Sequence, residues 1–444
     1  MALKSSHAFG IDISDRTVEM FELKKKFKKF QVVSYGRAEL RDGIVENGEV
    51  REPNELAEAI RRMLKQAEPK PPKTADVVLS VPESRTFIHT FRLPSVISEK
   101  NVGESVQFRA EETIPLSFDQ VYYDYGIVDQ TAEYREVLYV ACYRGIVDGY
   151  RSAVRQAGLN PIVLEPESLA LTRTVVRSGE HDAILMADVG ARTTNVTIYD
   201  NGGIRYSSTL KEGGRTLIRA ISEALGVDPA RAEQLLRTVG LVREFKKGSE
   251  GAFQSAIEPL VEEIVGSIGR AAASYAGRTG TRVKQIILTG GVSLMPGFVA
   301  HVRMRFGENV LLSNPLEGLQ YSSESLQKIK EPVLYGTAVG LALRGVDSDS
   351  IRNGINLYAR SGDQGRVGKS MPEQRESKAE QPQFSRMGGS EGSKKRFVTM
   401  VVIFSVLVAL FLIVLFLRPQ FGDENVNYNV DYSAGGSPSF GTDN

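Results

Sequence analysis

The stretch that decides the fold is ADVGARTTNVTIYDNGG, residues 187–203 of the 444-residue chain. An apolar run at 183–186 leads into it, and alternating apolar residues at 196–199 follow the central turn. This pattern predicts two strands joined by a tight turn.

The turn carries residue types that suit a phosphate chain. Gly190 lets another group approach the backbone closely, and Thr193 and Thr194 supply hydroxyl and amide donors. Asp188 can face a metal ion through water. An ordinary hairpin has the same D-x-G sequence, so the turn alone leaves both interpretations open.

A related pattern stands near the N-terminus. Residues 8–14, AFGIDIS, predict a short apolar strand with Asp12 in the place that Asp188 holds later, and further strands are predicted at 17–23 and 30–36. Two Asp-bearing hairpins predict a duplicated α/β domain that holds one phosphate chain from both sides.

A third stretch completes the predicted pocket. Residues 285–298, QIILTGGVSLMPGF, read as an apolar strand that ends in Gly290 and Gly291, followed by a Pro-Gly turn at Gly297. Glycines at such positions let the backbone lie flat against a planar ring.

These three stretches, in this order and spacing, resemble the phosphate-1, phosphate-2 and adenosine motifs of the actin, Hsp70 and sugar-kinase superfamily. Within it, residues 8–345 resemble the PilM family of type IV pilus assembly, which is itself similar to the FtsA division proteins. The resemblance implies an α/β, actin-like fold of the duplicated ribonuclease-H-like kind that binds ATP and Mg²⁺. The nucleotide-binding residues that it implies are Gly10, Asp12, Ser14, Asp188, Gly190, Thr193, Thr194, Gly213, Gly214, Glu233, Gly290, Gly291 and Gly297, with Asp12 and Asp188 facing the metal.

Net charge, cysteine count and the N-terminal residues limit the classes of protein to which the chain can belong. The formal net charge of +1 gives no global field that would favour nucleic acid. One cysteine, Cys142, excludes an internal disulfide, and its apolar surroundings predict a buried side chain. The N-terminal residues have no apolar run of the kind that a secretory signal peptide contains.

Residues 82–150 predict a strand–helix–strand–strand unit that resembles the 1C insert of FtsA and PilM proteins. Its elements are predicted at 86–93, 98–113, 121–128 and 136–143. We expect this insert to dock a partner, although its tyrosine-rich run at 119–125 also fits an ordinary half-buried strand. The predicted organisation is domain I (1A) at 1–81 and 151–180, the 1C insert at 82–150, domain II with a closing helix at 181–345, a flexible linker with the INLY peptide at 346–393, a transmembrane helix at 397–417 and a short external tail at 418–444.

The resemblance also suggests a catalytic residue. Glu165 stands at a strand-to-helix junction that lies below the γ-phosphate in the superfamily, where a polar side chain can orient the attacking water. Alternatively, Glu165 and Glu167 serve only to favour the positive N-terminal end of the following helix.

The chain departs from the superfamily pattern at three places. Ser14 takes the place of a glycine, Glu19 that of a phosphate-facing lysine, and Leu236 that of the lysine beside adenine, while Glu233 matches the acid that holds the ribose. An acid at position 19 repels a γ-phosphate. We therefore expect ATP binding with Mg²⁺ and slow or absent hydrolysis, so that the chain is at most a weak ATPase.

The C-terminal part predicts a membrane anchor. Residues 361–393 have the composition of a solvated linker with a span of roughly 30 Å. The basic run 394–396 follows, and then the uncharged run FVTMVVIFSVLVALFLIVLFL at 397–417, which as a helix covers roughly 31 Å. The positive-inside rule places the N-terminal body in the cytoplasm and the tail 418–444 outside.

A short peptide precedes the solvated part of the linker, 361–393. Residues 354–358, GINLY, followed by a polar linker and a span, resemble the start of a PilN-like protein, and GspL proteins have a comparable plan. We hypothesise that Ile355, Asn356 and Leu357 dock into a groove between 1A and 1C, in cis or on a neighbouring copy. The alternative is a coincidence of four residues.

The favoured function is a membrane-anchored, nucleotide-binding scaffold of the inner-membrane platform of pilus or related secretion assembly. The implied partners are PilN-like and PilO-like platform proteins and the pilus ATPase, with self-association and membrane insertion but no nucleic acid. An FtsA-like division tether is the alternative. A kinase or chaperone enzyme of the same fold is disfavoured because the phosphate-1 motif is altered.

Overall fold

The structure is a computed structural model that describes residues 7–27, 29–114, 117–176, 182–241, 249–321 and 328–358. Within these ranges, no helix combines the length and apolar character that crossing a bilayer requires. Of the predicted linker 346–393, the structure describes 346–358, and there the expected flexible chain is instead a short helix, Ser348–Asn353, followed by the GINLY residues. The rest of the linker, the span 397–417 and the external tail lie outside the described residues.

Strands and helices alternate along the described residues. The strands are β1 (Phe9–Ile13), β2 (Thr17–Lys26), β3 (Lys29–Glu39), β4 (Val45–Glu46), β5 (Glu49–Val50), β6 (Asp76–Val81), β7 (Thr86–Pro94), β8 (Val121–Gln130), β9 (Tyr134–Tyr143), β10 (Asn160–Pro166), β11 (Ile184–Val189), β12 (Thr194–Asp200), β13 (Gly203–Leu210), β14 (Gln285–Thr289), β15 (Val310–Leu312) and β16 (Leu319–Gln320). The helices are α1 (Pro53–Lys65), α2 (Val102–Thr113), α3 (Arg144–Gln156), α4 (Glu167–Val175), α5 (Gly214–Leu225), α6 (Pro229–Thr238), α7 (Ser249–Thr279), α8 (Phe298–Phe306), α9 (Gly336–Gly345) and α10 (Ser348–Asn353).

Two sheets repeat one plan, so the predicted duplication is confirmed. The first sheet has the order β10-β6-β1-β2-β3-β16, and the second has the order β13-β12-β11-β14-β15. Each begins with an antiparallel meander, β1-β2-β3 or β11-β12-β13, and each adds parallel strands beside the first strand of that meander. Parallel strands require crossover connections, which the helices provide.

Local sequence explains where several helices begin and which face they bury. Pro53 stands in the first turn of α1, where its missing N–H costs nothing, and Leu56 and Ile60 are buried on one face. The Asp228 side chain accepts a hydrogen bond from the Arg231 backbone at 2.9 Å and caps α6, as the Asp-Pro sequence predicts.

The insert forms its own small sheet, of order β7-β9-β8, which packs against α2. The predicted helix start at 98 is early, because a 3-10 turn covers Glu99–Asn101 before α2 begins. In the tyrosine-rich run, Tyr123 is half-buried and stacks on Tyr139 with ring centroids 5.6 Å apart, which fits the half-buried strand. Cys142 is buried in β9, as predicted, and burial raises the pKa of its thiol to about 12.

Helix α9 packs so closely against the first half of the chain that backbone contacts backbone. A Cβ atom on Gly340 would stand 1.9 Å from the carbonyl oxygen of Ala170, and one on Gly10 would stand 2.3 Å from that of Ala338. Glycine is needed at both places because real Cβ contacts are never so short. Gly10, predicted for the nucleotide site, therefore serves helix packing in this structure.

Candidate functional site

The two predicted phosphate turns face each other across a cleft between the two sheets. Arg192, in the β11–β12 turn, donates from Nη1 to Asp15 Oδ2 in the β1–β2 turn at 2.7 Å, and it also bonds the Asn47 side chain. Asp15 in turn accepts backbone hydrogen bonds from Asn47 and Gly48, both at 2.9 Å. The Arg192–Asp15 ion pair thus joins the turns of the two hairpins.

The β11–β12 turn is held by its own backbone. Gly190 N–H donates to the Thr193 carbonyl at 2.9 Å, and the N–H of Gly214 donates to the Gly190 carbonyl at 3.0 Å. A Cβ on Gly213 would stand 2.7 Å from the Gly190 oxygen, so only glycine lets α5 start this close to the turn. Thr194 is fully buried behind the turn.

Four carboxylates converge beside these turns, from both halves of the chain. Asp12 lies on β1, Glu83 follows β6, Glu167 begins α4, and Asp188 lies on β11. Glu167 Oε2 accepts from the Glu83 backbone N–H at 3.1 Å and from the Asn195 side chain at 3.4 Å. We call Asp12, Glu83, Glu167 and Asp188 the acidic cluster.

Burial and mutual repulsion raise the pKa values of these groups. Burial, together with the charges of Asp12 and Glu83, raises the pKa of Asp188 to about 7. Burial, followed by the charges of Asp12 and Asp188, raises the pKa of Glu167 well above its ordinary value. Burial also raises the pKa values of Asp12 and Glu83, against the hydrogen bonds that they accept. Such clustering of raised pKa values is typical of functional sites.

The acidic cluster suits a hydrated divalent cation. Within the described ranges, none of its four members forms an ion pair, although buried charges are normally paired or hold a metal. No three His, Cys, Asp or Glu side chains of the described residues converge tightly enough to coordinate a metal directly. Because Mg²⁺ usually keeps several waters, contact through water is compatible with this spacing. A cavity of about 10 Å³ beside Glu167 and Asp188 is close to the room that one water needs.

Ser14 and Glu19, the two residues that depart from the superfamily pattern in the first hairpin, both have partners in the structure. Ser14 Oγ accepts from the Thr17 backbone at 3.0 Å and from that of Arg16 at 3.3 Å, so the serine stabilises its own turn. Glu19 is buried opposite Asp12 in the strand register, and its Oε1 accepts from Arg37 Nε at 2.9 Å. Burial and the Asp12 charge raise the pKa of Glu19 to about 7 despite this ion pair.

The structure gives Glu165 a different place from the predicted one. Its carboxylate is fully buried and accepts hydrogen bonds from two Arg173 nitrogens, each at 2.6 Å, and another from Arg344. Burial alone would raise the pKa of Glu165, but the two guanidinium groups outweigh it and hold the pKa below its ordinary value. An acid so fully engaged does not suit the role of orienting water. Glu167, two residues later, lies in the acidic cluster.

Glu233 also has protein partners. Arg16, in the first turn, donates to Glu233 Oε2 at 3.2 Å, and Arg237 lies 3.5 Å from Oε1. The Arg16–Glu233 pair therefore forms a second charged bridge across the cleft.

The glycines of the third motif hold tight turns. Gly290 has a φ of +82°, and a Cβ there would stand 2.4 Å from Asp188 Oδ1, so this glycine packs directly on the acidic cluster. Gly297 also has a positive φ, of +81°, at the start of α8. Gly291 has room for a Cβ, whose nearest neighbour would be a Leu334 methyl at 3.7 Å.

The GINLY segment, residues 354–358, lies against β10 of the first half and β8 of the insert. Ile355 and Leu357 are buried in the apolar core of the first half. The Leu357 backbone N–H donates to the Leu164 carbonyl at 2.9 Å. Of the two arrangements that the sequence leaves open, this structure contains the one in cis.

Asn356 makes the polar contacts of this segment. Its Oδ1 accepts from the backbone N–H groups of Leu164 and Tyr358, both at 3.0 Å, and its Nδ2 donates to the Ile162 carbonyl at 3.1 Å. The Asn356 backbone N–H donates to Asp124 Oδ2 of the insert at 2.8 Å. The segment thus connects the insert to the first half.

Sequence reasoning missed two groups of residues in the cleft. Glu83 could have been found, because it follows a buried strand parallel to β1, and the carboxyl ends of parallel strands share one edge. Arg16 and Arg192 gave no such signal, since exposed arginines in turns are common and only the approach of the two halves pairs them with acids.

Comparison with known proteins agrees with this architecture. The family described as type IV pilus assembly protein PilM matches residues 10–346. A solved PilM–PilN type IV pilus biogenesis complex aligns with a TM-score of 0.68 at 24% identity, covering 78% of this chain and all of that chain, which shows a shared fold.

Curated relatives are cell division proteins FtsA. That of Pseudomonas aeruginosa is 26% identical over 48% of this chain and 54% of its own length, and that of Neisseria meningitidis is 26% identical over 44% and 50%. The chain thus spans about half the length of these two relatives. The family match ends before the GINLY segment, so the PilN-like interpretation of the C-terminal part has no support from these comparisons. The match over residues 10–346 shows that the chain belongs to the PilM family of type IV pilus assembly proteins.

Proposed function

We propose that the chain is a nucleotide-responsive scaffold of the inner-membrane platform that assembles type IV pili. In this proposal Mg·ATP binds in the cleft between the two sheets, and its binding changes the angle between them. The observation that carries the proposal is the acidic cluster, where four carboxylates from both halves, that of Glu83 buried and the other three part-buried, meet beside the β1–β2 and β11–β12 turns.

The residues around the cleft fit Mg·ATP in the following way. Asp12 and Asp188 would hold Mg²⁺ through water, and the amides of the Gly190 turn would face the phosphates. When bound, the metal would neutralise phosphate charge and relieve the repulsion within the acidic cluster. Glu233 would reach the ribose after releasing Arg16.

Binding would require the cleft to open. The cavity beside Asp188 is about 10 Å³, whereas small-molecule sites occupy roughly 300–1,000 Å³. The Arg192–Asp15 and Arg16–Glu233 bridges close the mouth of the cleft. A nucleotide would exchange these bridges for its own contacts, which makes it a ligand that selects an open arrangement.

We expect slow or absent hydrolysis. Glu19 brings a negative charge where the superfamily has a lysine, and Arg37 offsets that charge only in part, since Asp12 lies opposite. Glu165 is bound by two arginines, so Glu167 is the better candidate for positioning water.

The remaining parts of the function are proposals from sequence. The run 397–417 would anchor the protein in the cytoplasmic membrane as a single pass, with the body in the cytoplasm and the tail outside. Platform proteins of the PilN and PilO kinds, the pilus ATPase and further copies of the chain would be its partners. The cis-docked GINLY segment would fix the start of the linker to the body, beside the insert.

The test is to titrate the full-length protein with Mg·ATP and to measure its melting temperature at each concentration. We expect a rise that Asp188→Asn abolishes, whereas Asp182→Asn, an exposed acid at the start of the same half, retains it. An unchanged melting temperature, with no nucleotide released on denaturation, would contradict nucleotide binding and leave a docking scaffold only.

A second candidate is an FtsA-like tether of the division machinery, which the identity to FtsA proteins favours. The two functions differ in what the protein captures. Cross-linking in cells should recover pilus platform proteins in the first case and division-filament proteins in the second.

A further inference from the structure

The hairpin that joins β2 and β3 ends in a basic tip with an exposed aromatic ring. We call Lys24, Lys25, Lys26, Phe27 and Lys29 the basic tip. All five residues are exposed, and Phe27 is 91% exposed. Neither the acidic cluster nor the GINLY segment involves them.

The conformation of Phe27 argues against a role in folding. Its φ is +56°, in the left-handed region that favours glycine or asparagine, and the other non-glycine residues of the described chain with positive φ are both asparagines. A phenylalanine here has an unfavourable backbone and buries almost none of its ring. The side chain therefore suits contact with something outside the chain.

Lys25 interacts electrostatically with Asp347, whereas the other three lysines of the basic tip have no acidic partner among the described residues. In the strand register Lys26 pairs with Lys29, and Lys24 with Gln31, so these three lysines share one face of the hairpin. Lys25 lies on the other face, with its ammonium group 5.9 Å from the Phe30 ring centroid. Lys24, Lys26 and Lys29 form no ion pair with any residue that the structure describes.

We propose that the basic tip docks on the surface of an anionic lipid bilayer, with the Phe27 ring inserted at the level of the headgroups. Lysines are attracted to anionic headgroups, and a single aromatic ring suits the boundary between headgroups and acyl chains. Protein interfaces are instead depleted in lysine, so an acidic protein partner fits this composition less well. The predicted span in the same chain keeps the body near such a surface.

The basic tip is a weak contact by itself. Each lysine near an anionic surface contributes roughly fivefold to the partition constant, so Lys24, Lys26 and Lys29 together contribute on the order of 100-fold. Such a contact becomes effective when a second anchor holds the body at the membrane. It would orient the first sheet relative to the bilayer independently of any nucleotide.

The absence of tryptophan from the sequence allows a direct test in the full-length protein. Phe27→Trp provides a single tryptophan, at the basic tip, and Phe108→Trp provides a matched control at a phenylalanine of the insert that is 63% exposed. Both are reconstituted in vesicles of phosphatidylcholine alone or mixed with phosphatidylglycerol. We expect a blue shift and quenching by brominated lipid only for Phe27→Trp, only with phosphatidylglycerol, and reversed by high salt.

Charge reversal completes the test. Lys24→Glu, Lys26→Glu and Lys29→Glu, added together to Phe27→Trp, should lower the docked-to-undocked ratio by at least on the order of 100-fold, because each change removes an attraction and adds a repulsion. Emission that is the same in both kinds of vesicle, or unchanged by charge reversal, would overturn the proposal. A response to soluble polyglutamate without a response to phosphatidylglycerol would also overturn it, in favour of an acidic protein partner. Insertion of the span is measured separately, by flotation of the protein with the vesicles, so failure of the anchor is distinguishable from failure of the basic tip.

Discussion

Replacement of Asn356 by alanine should release the GINLY segment from its groove. Three groups lose their partner in this variant, namely the N–H groups of Leu164 and Tyr358 and the carbonyl of Ile162. At about 1 kcal/mol for each group, the cost is about 2–3 kcal/mol, because the half-buried Tyr358 can recover part of its loss from water. This corresponds to roughly 30–150-fold in the opening equilibrium of the segment.

Hydrogen exchange at the Leu357 amide is the appropriate assay. That amide donates to the Leu164 carbonyl and does not contact the altered side chain, so its exchange reports detachment of the segment rather than the deletion itself. Asn353→Ala is the matched control, since Asn353 is exposed at the end of α10. Exchange at Leu357 that rises equally in both variants, or in neither, would refute the reasoning.

Three further predictions concern the site and the helix packing. Because burial and neighbouring carboxylates raise the pKa of Asp188 from 3.8 to about 7, the folded state holds this proton more tightly, and the free energy of unfolding should fall as pH rises through that interval. Asp188→Asn should flatten the profile of melting temperature against pH, and an unaltered slope would contradict the assignment. Glu165→Gln leaves the buried Arg344 guanidinium and the part-buried Arg173 guanidinium short of a counter-charge and should cost about 3–5 kcal/mol in urea unfolding while the response to Mg·ATP survives. Glu167→Gln relieves repulsion, so it should maintain or raise stability, but it should weaken that response because the acidic cluster loses part of the negative charge that attracts the metal; the reverse pattern would restore Glu165 to the site. Gly340→Ala forces a Cβ against a carbonyl oxygen at 1.9 Å and should destabilise by about 1–3 kcal/mol. Gly277→Ala, at an exposed position of α7 with open space around it, should instead stabilise by about 0.5–1 kcal/mol; equal effects of the two would argue against close packing of α9.

Much of the fold follows from local pattern. The first meander and the first two strands of the second were predictable because alternation and turn residues act over a few neighbouring positions, and the insert was predictable for the same reason. The third strand of the second meander, β13, was not predicted. The predicted start of the helix in the insert differs by a few residues because a 3-10 turn precedes the first buried position, Val102.

The sequence by itself determined the duplicated sheets, Asp12 and Asp188 at equivalent places, and the apolar run that predicts an anchor. Only the tertiary structure decided which acids meet. Glu165 and Glu167 are two residues apart, but the chain changes from strand to helix between them, so one carboxylate enters an arginine-lined core and the other the cleft. The role of Gly10 likewise depends on a helix more than three hundred positions later, because the backbone of that helix occupies the space where a side chain at position 10 would lie. Periodicity specifies an element and its buried face, whereas side-chain partners depend on distant elements that fold against it.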